Sequence, residues 1–278
     1  SAMPGHDLLL PPAATIARVF AEIDARRDAV AELTAELIRF TTVNPPGRDY
    51  EPCAEFIAER LANSGFSAEF VRGRGEAGDS HDFPRANVIC RREGTGEGPC
   101  VHFNSHIDVV EAGHGWTVEP FDGVIRDGRV YGRGACDMKG GLAASIIAVE
   151  AIVAAGVPYR GALEISGTAD EESGGFGGVG YLAKRGYFSP PRVDHVIIPE
   201  PLNPDRVCLG HRGVWWAEVE ISGRIGHGAM PFLGVNAIRG MGDFLKLVEG
   251  ELYPALETRR TRMPCEPPGA RAATLNFN

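Results

Sequence analysis

The chain has 278 residues, 44% of them hydrophobic and 23% charged, which is enough to bury a sizeable core and, by length, to form about two domains. Its 28 Lys and Arg stand against 37 Asp and Glu, and the resulting net charge of −9 argues against nucleic-acid binding, which needs a basic face. No apolar run approaches the roughly 20 residues of a membrane span, so no membrane partner is expected.

The first twelve residues carry no fold signal. Ser1-Ala2-Met3 reads as an expression remnant, and the apolar run at 7–12 is too short for a secretory signal and lacks a basic flank. Residues 13–41 are Ala-rich, with Ile16, Val19, Phe20, Ile23, Val30, Leu33 and Leu37 at helical spacing, which predicts two helices or one bent one. Asn44-Pro45-Pro46-Gly47 breaks the pattern. A further helix is expected from Tyr50 to Asn63, with Cys53, Phe56, Ile57 and Leu61 on one face and Gly65 as its stop. Short apolar strands follow at 68–71, 87–91 and 100–105, separated by Gly-rich charged loops.

Two segments, 124–126 and 129–131, flank Asp127-Gly128 and predict a hairpin. Residues 140–156 are apolar and small, as in a buried helix; 163–168 and 195–199 read as strands, and 177–185 as a short helix. This alternation predicts an α/β domain over residues 13–212, with a mixed, largely parallel sheet covered by helices on both faces. After Arg212-Gly213 the pattern changes. Trp215, Ala217, Val219 and Ile221 alternate along one long expected strand, and 236–249 forms an amphipathic helix with Ile238, Met241, Leu245 and Val248 on one face. Residues 213–278 therefore read as the start of a smaller α+β unit, and 271–278 as a strand that ends without a cap or turn. The six cysteines form no C-x-x-C pair and no zinc-module spacing. A chain of this size needs no disulfide framework, so a reduced, cytoplasmic setting is expected.

In an α/β sheet, functional groups collect beyond the carboxyl ends of the strands. Four strand ends carry them here. His106 and Asp108 follow the third strand, spaced so that the carboxylate can fix the imidazole tautomer; the alternative is a surface His with a nearby Asp. Asp137 sits in the glycine-dense 132–141 turn that opens the buried helix, where it reads as a ligand or as a simple N-cap. Asp170, Glu171 and Glu172 repel one another unless a cation sits among them, or else they lie in a solvated loop. Glu200 leaves a strand between two prolines. One His and several carboxylates at separate ends of one sheet suit zinc, manganese or cobalt, and a shared carboxylate can hold two ions roughly 3.5–4 Å apart, a hydrolytic spacing.

Two rival patterns are present. Gly175, Gly177 and Gly180 fit G-x-G-x-x-G, and Glu200 stands 20 residues beyond the last of them, as a ribose-binding acid would. The acids at 170–172 would repel a pyrophosphate, which counts against a dinucleotide. A serine hydrolase is disfavoured because Ser105 is not in G-x-S-x-G.

The segments NSHIDVV (104–110), GRGACDMKGG (132–141), ADEESGG (169–175) and PEP (199–201), in this order, resemble the metallopeptidase family of acetylornithine deacetylase, succinyl-diaminopimelate desuccinylase, aminoacylase and carboxypeptidase G. The resemblance covers roughly residues 30–278. It implies a zinc-exopeptidase-like catalytic domain, a lid domain that pairs in a homodimer, and two divalent metal ions, zinc first with cobalt or manganese as alternatives. It implies that His106 and Glu200 bind the first ion, Glu172 the second, and Asp137 both; that Asp108 orients His106; that Glu171 is the general base; and that His227, in the Gly223–Pro231 segment, stabilises the oxyanion. The implied reaction is hydrolysis of the amide bond of an N-acyl amino acid or small peptide. The same resemblance implies one more metal-binding His and a substrate-binding Arg, neither of which can be assigned here. The chain therefore reads as part of a longer protein, with a catalytically inactive fragment or a binding module that keeps the fold as the competing reading.

Overall fold

The computed structural model describes residues 11–201, 205–208 and 210–277. Asn278, the end of the expected last strand, and residues 7–10 of the N-terminal apolar run lie outside them. The chain divides into two compact units, Ser1–Cys208 and Leu209–Asn278.

In the first unit the N-terminal helical pattern resolves into two helices, α1 (Ala13–Ala25) and α2 (Arg27–Ile38). Leu33, Leu37 and Ile38 of α2 are fully buried, whereas α1 buries no residue. Helix α3 (Tyr50–Ala62) buries Cys53, Ala54, Ile57 and Leu61, the face set by their helical spacing, and Phe56 meets Phe40 with ring centroids 5.2 Å apart. Gly65 follows with φ 78°, the left-handed conformation that ends a helix where a side chain would be strained.

Five strands form one sheet in the order β1 (Ser67–Arg72), β2 (Ala86–Glu93), β6 (Ala162–Thr168), β3 (Cys100–His106), β7 (His195–Ile197). β1 and β6 each pair antiparallel with β2, while β3 pairs parallel with β6 and with β7. β2 alone therefore runs against the other four strands, so the sheet is mixed with parallel strands predominating. The hairpin β4 (Val124–Arg126)–β5 (Arg129–Tyr131) forms apart from it, with positive φ at both Asp127 and Gly128, as a two-residue turn of this type requires.

The two faces of the sheet differ. Val88, Cys90, Val101, Phe103, Leu163 and Ile165 line one face and pack with α3 and α4 (Lys139–Ala154) into the main core. Alternation puts His102, Asn104, Glu164 and Ser166 on the other face. There His102 Nδ1 lies 2.6 Å from Glu164 Oε2 and its Nε2 lies 2.8 Å from Ser166 Oγ. Arg91 and Arg192 meet the same glutamate, and Phe188 closes edge-on over the His102 ring. These polar groups are buried but partnered, which removes most of the cost of desolvating them. A short helix, α5 (Val179–Ala183), completes the unit.

The second unit contains α6 (Ala237–Leu247), capped by Asn236 Oδ1 accepting the Arg239 amide at 3.0 Å. It continues through a π-helical turn at Val248–Leu252 into α7 (Tyr253–Glu257). Two sequence expectations fail here. The long strand over 214–221 is not formed, and Trp215 and Trp216 are 86% and 76% exposed. Nor do residues 271–277 form the expected strand: among the described residues of this unit the pairings are isolated bridges, Arg224 with Val235 and Arg260 with Ala272. Alternation marks a segment suited to a half-buried sheet, but a strand also needs neighbours for its backbone groups, and the described residues supply none along its length.

Candidate metal centre

The topology brings three strand ends and one helix-opening turn to one place, so Asp137 reaches the cluster from the start of α4 and not, as expected, from a strand end of the sheet. β3 and β6 run parallel in a register that sets His106 beside Thr168, so the 106–108 exit and the 169–173 turn leave the sheet side by side. The parallel β7 delivers Glu200 on the other flank of β3, and the 132–138 turn delivers Asp137 ahead of α4.

His106 is buried, and its two ring nitrogens have separate partners. Nδ1 lies 2.9 Å from the Asp108 carbonyl oxygen and 3.4 Å from the Asp108 carboxylate, so main chain and side chain of one residue fix the ring. Nε2 faces Asp137 Oδ1 at 3.1 Å, Glu200 Oε1 at 3.6 Å and Glu171 Oε2 at 3.9 Å. His106, Asp137 and Glu172 can each offer one ligand atom such that all lie within 4.8 Å of one another.

Asp108 is fully buried and does more than face the histidine. Its Oδ1 accepts the Glu171 amide and its Oδ2 the Glu172 amide, each at 3.1 Å, and Oδ2 also accepts Asn44 Nδ2 at 2.9 Å. One carboxylate thus ties the imidazole to the backbone that presents both glutamates. Asp137 makes no capping bond: the N-cap position of α4 is Met138, which leaves the Asp137 carboxylate for the cluster. The adjacent Lys139 is fully buried, and its ammonium donates to the Leu37 and Phe40 carbonyls at 3.0 and 2.9 Å, anchoring the start of α4 to the end of α2.

The three neighbouring acids divide. Asp170 has φ 65° and turns inward, where Arg85 Nε lies 2.8 Å from its Oδ1; Glu171 and Glu172 turn toward His106. The expectation was a metal ion among the three acids; for Asp170 the neighbouring cation is instead the Arg85 guanidinium. Asp170 Oδ2 also accepts the Gly177 amide at 3.3 Å, which occupies a donor that a dinucleotide phosphate would need.

The electrostatics reflect crowding of like charges. Burial opposes charging His106, but hydrogen bonds to Asp108 and Asp137 and the charge of Glu200 outweigh it and raise the pKa to about 11. Burial and the Asp137 and Glu171 charges push Glu200 up to about 7, against the lowering effect of His106. Burial and the neighbouring Asp137 likewise raise Glu172, while the His106 hydrogen bond lowers Asp137. Without a metal ion, a proton on His106 balances the carboxylates. One imidazole nitrogen among converging carboxylates is a donor set of the kind that first-row divalent ions take, so the residues fit such an ion.

Of the residues singled out from sequence, His106, Asp108, Asp137, Glu171, Glu172 and Glu200 converge. His227 belongs to the second unit, where it is exposed and its Nδ1 accepts the Ala229 amide at 3.2 Å. Sequence reasoning missed Asn44, Arg85 and Lys139. Asn44 stands in the Asn-Pro-Pro-Gly break and reads only as a turn, whereas Lys139 inside the glycine-dense turn was a visible signal, since a lone Lys opening an apolar helix asks for a partner.

Comparisons with known proteins show the family and the fold. The sequence pattern described as Peptidase family M20/M25/M40 matches residues 102–270. A succinyl-diaminopimelate desuccinylase from Methylobacterium radiotolerans is 34% identical over 77% of this chain and 54% of its own length. One from Burkholderia cenocepacia is 36% identical over 82% of this chain and 59% of its own. The chain thus spans a little over half the length of these curated relatives. Among solved structures, human carnosine dipeptidase 1 superimposes with a TM-score of 0.58 at 25% identity, over 68% of this chain and 41% of that one. A di-peptidase from Saccharomyces cerevisiae gives 0.56 at 25% identity, over 67% and 41%.

Proposed function

Because the chain belongs to Peptidase family M20/M25/M40, we propose that its carboxylate–histidine cluster serves metal-dependent hydrolysis of the amide bond of an N-acyl amino acid or small peptide. The observation that carries this reading is the convergence on His106 Nε2 of carboxylates from three separate segments, the 132–138 turn, the end of β6 and the end of β7. His106 and Glu200 would hold one divalent ion, Glu172 a second, and Asp137 would reach both. Zinc suits this N/O donor set, as do cobalt and manganese. When bound, such ions polarise an amide carbonyl and lower the pKa of water.

The chain's own groups account for the remaining steps. The Glu171 carboxylate, half exposed at the rim of the cluster, accepts the proton of the attacking water and returns it to the leaving amine. Asp108 holds its backbone, and the His106 ring, in place for this. His227 would stabilise the oxyanion, and residues 213–278 would pair with their counterparts in a homodimer. No described helix is long and apolar enough to cross a membrane, and a cytoplasmic setting belongs to the same reading.

The test uses the full-length protein, assayed against acetyl-ornithine, succinyl-diaminopimelate, other acyl amino acids and dipeptides. At least one should be cleaved, and Glu171→Ala should abolish turnover with metal content nearly intact. Metal binding without turnover on any of them would favour an inactive chain that keeps the fold, and an active Glu171→Ala enzyme would remove the residue from its role.

A further inference from the structure

The acidic turn that presents Glu171 and Glu172 is gripped from behind by residues outside the cluster. Because β2 runs antiparallel to β6, the start of β2 lies beside the end of β6, where the turn begins. Asn87 uses both ends of its amide there: Oδ1 accepts the Ala169 amide at 2.9 Å, and Nδ2 donates to the Gly177 carbonyl at 2.9 Å. The Asn87 side chain thereby bridges the main chain of the two sides of the turn.

Arg85, two residues earlier and 3% exposed, reaches inside the turn. Its Nε donates to the Asp170 carboxylate at 2.8–2.9 Å, and its Nη1 to the Pro46 carbonyl at 2.6 Å. Tyr50 adds its hydroxyl to Asp170 Oδ1 at 3.4 Å, and Asp170 Oδ2 accepts the Gly177 amide. The space for the guanidinium is specific: a Cβ at Gly78 or at Gly177 would collide with Arg85 atoms. Asp170 holds a left-handed φ of 65°, a conformation costly for a non-glycine residue, and it directs Asp170 inward while the next two residues turn out toward His106.

The geometry points to Arg85 and Asp170 as a buried positioning pair that fixes the acidic turn, and through it the places of Glu171 and Glu172. Neither residue touches the ligand atoms. The pair acts by holding the left-handed residue at which the chain reverses. An intact pair is also its own safeguard, since a buried carboxylate that loses its guanidinium is left uncompensated. For its effect on metal binding, this inference rests on the metal-dependent reading above; for the turn itself it does not.

Amide hydrogen exchange of the metal-free protein tests the pair directly. Arg85→Lys keeps the charge but loses the planar fork that spans Asp170 and Pro46. Amides in 171–177 should exchange at least tenfold faster, with protection of β2, β3 and β6 unchanged. Should Arg85→Lys not fold, Arg85→Met/Asp170→Asn, which leaves no unpaired buried charge, carries the same readout. Cobalt(II) titration then tests the link to the cluster: affinity should fall at least tenfold, with an altered visible spectrum. Arg60→Met, which breaks the remote Arg60–Glu150 pair, should leave both readouts at wild type. Unchanged exchange at 171–177 in a folded variant would overturn the inference, as would a loss of protection spread evenly over the sheet. If the wild-type protein binds no cobalt, the metal-dependent reading fails, and exchange at 171–177 still decides the role of the pair.

Discussion

Asp108→Asn removes a charge at nearly constant volume, from the point where three parts of the cluster meet. The buried carboxylate accepts the amides of Glu171 and Glu172 at 3.1 Å and Asn44 Nδ2 at 2.9 Å, and it stands 3.4 Å from His106 Nδ1. Hydrogen bonds to a charged group contribute about 1.5–3 kcal/mol each. Asparagine keeps one acceptor oxygen and turns an NH2 group toward donors on its other side. One charge-assisted bond is therefore lost and the others weaken, a loss of about 3 kcal/mol against the ~5–15 kcal/mol that typically stabilises a folded protein. Urea unfolding of the metal-free protein, followed by far-ultraviolet circular dichroism, should show a loss of this size. A cobalt titration should show affinity about 10–100-fold weaker, the usual cost of removing a partner that orients a ligand. Stability within about 0.5 kcal/mol of wild type, together with unchanged cobalt affinity, would refute the role of Asp108 as the tie between His106 and the two glutamates.

Metal affinity should depend on pH in a direction set by the raised pKa values. His106, near 11, and Glu200, near 7, each hold a proton that a divalent ion must displace. Cobalt affinity should rise about tenfold per pH unit between 7 and 9, as His106 gives up its proton, and more steeply below 7, where Glu200 gives up another. A flat profile from pH 6 to 9 in a binding titration would contradict this. The same sign governs metal-free stability: a raised His106 pKa contributes fully below about 6.5, its ordinary value, and that contribution is lost as pH rises through about 11. Thermal melts should show the decline between pH 7 and 10. In the core, Ile57 is fully buried, and Ile57→Ala should cost about 2–5 kcal/mol in a urea titration, where a loss below about 1 kcal/mol would contradict the packing.

The helices and strands of the first unit were legible because their signals are local. Asp127-Gly128 marks its hairpin, Cys53, Ile57 and Leu61 recur at helical spacing, and the 163–168 segment lies in a fully buried strand. Five of the six converging residues were legible because they follow the ends of β3, β6 and β7, where an α/β sheet gathers its chemistry, and Asp137 was legible from the glycine-dense turn that opens α4. Arg85 was not legible: it lies in a charged loop, and its partner Asp170 is 85 positions away. The inward turn of Asp170, away from Glu171 and Glu172, was hidden as well, since it depends on one left-handed residue that composition does not reveal. The expected strand at 214–221 failed for a related reason. Alternation describes which faces a segment would show, and only a neighbouring strand makes it a strand.

Metal stoichiometry tests the central claim most directly. Protein stripped with chelator, incubated with zinc or cobalt and freed of excess ion should retain at least one ion per chain, and His106→Ala should lose most of that binding while keeping a cooperative unfolding transition. No retained divalent ion in the wild type, or the same stoichiometry in a folded His106→Ala, would contradict the assignment of this cluster as a metal centre.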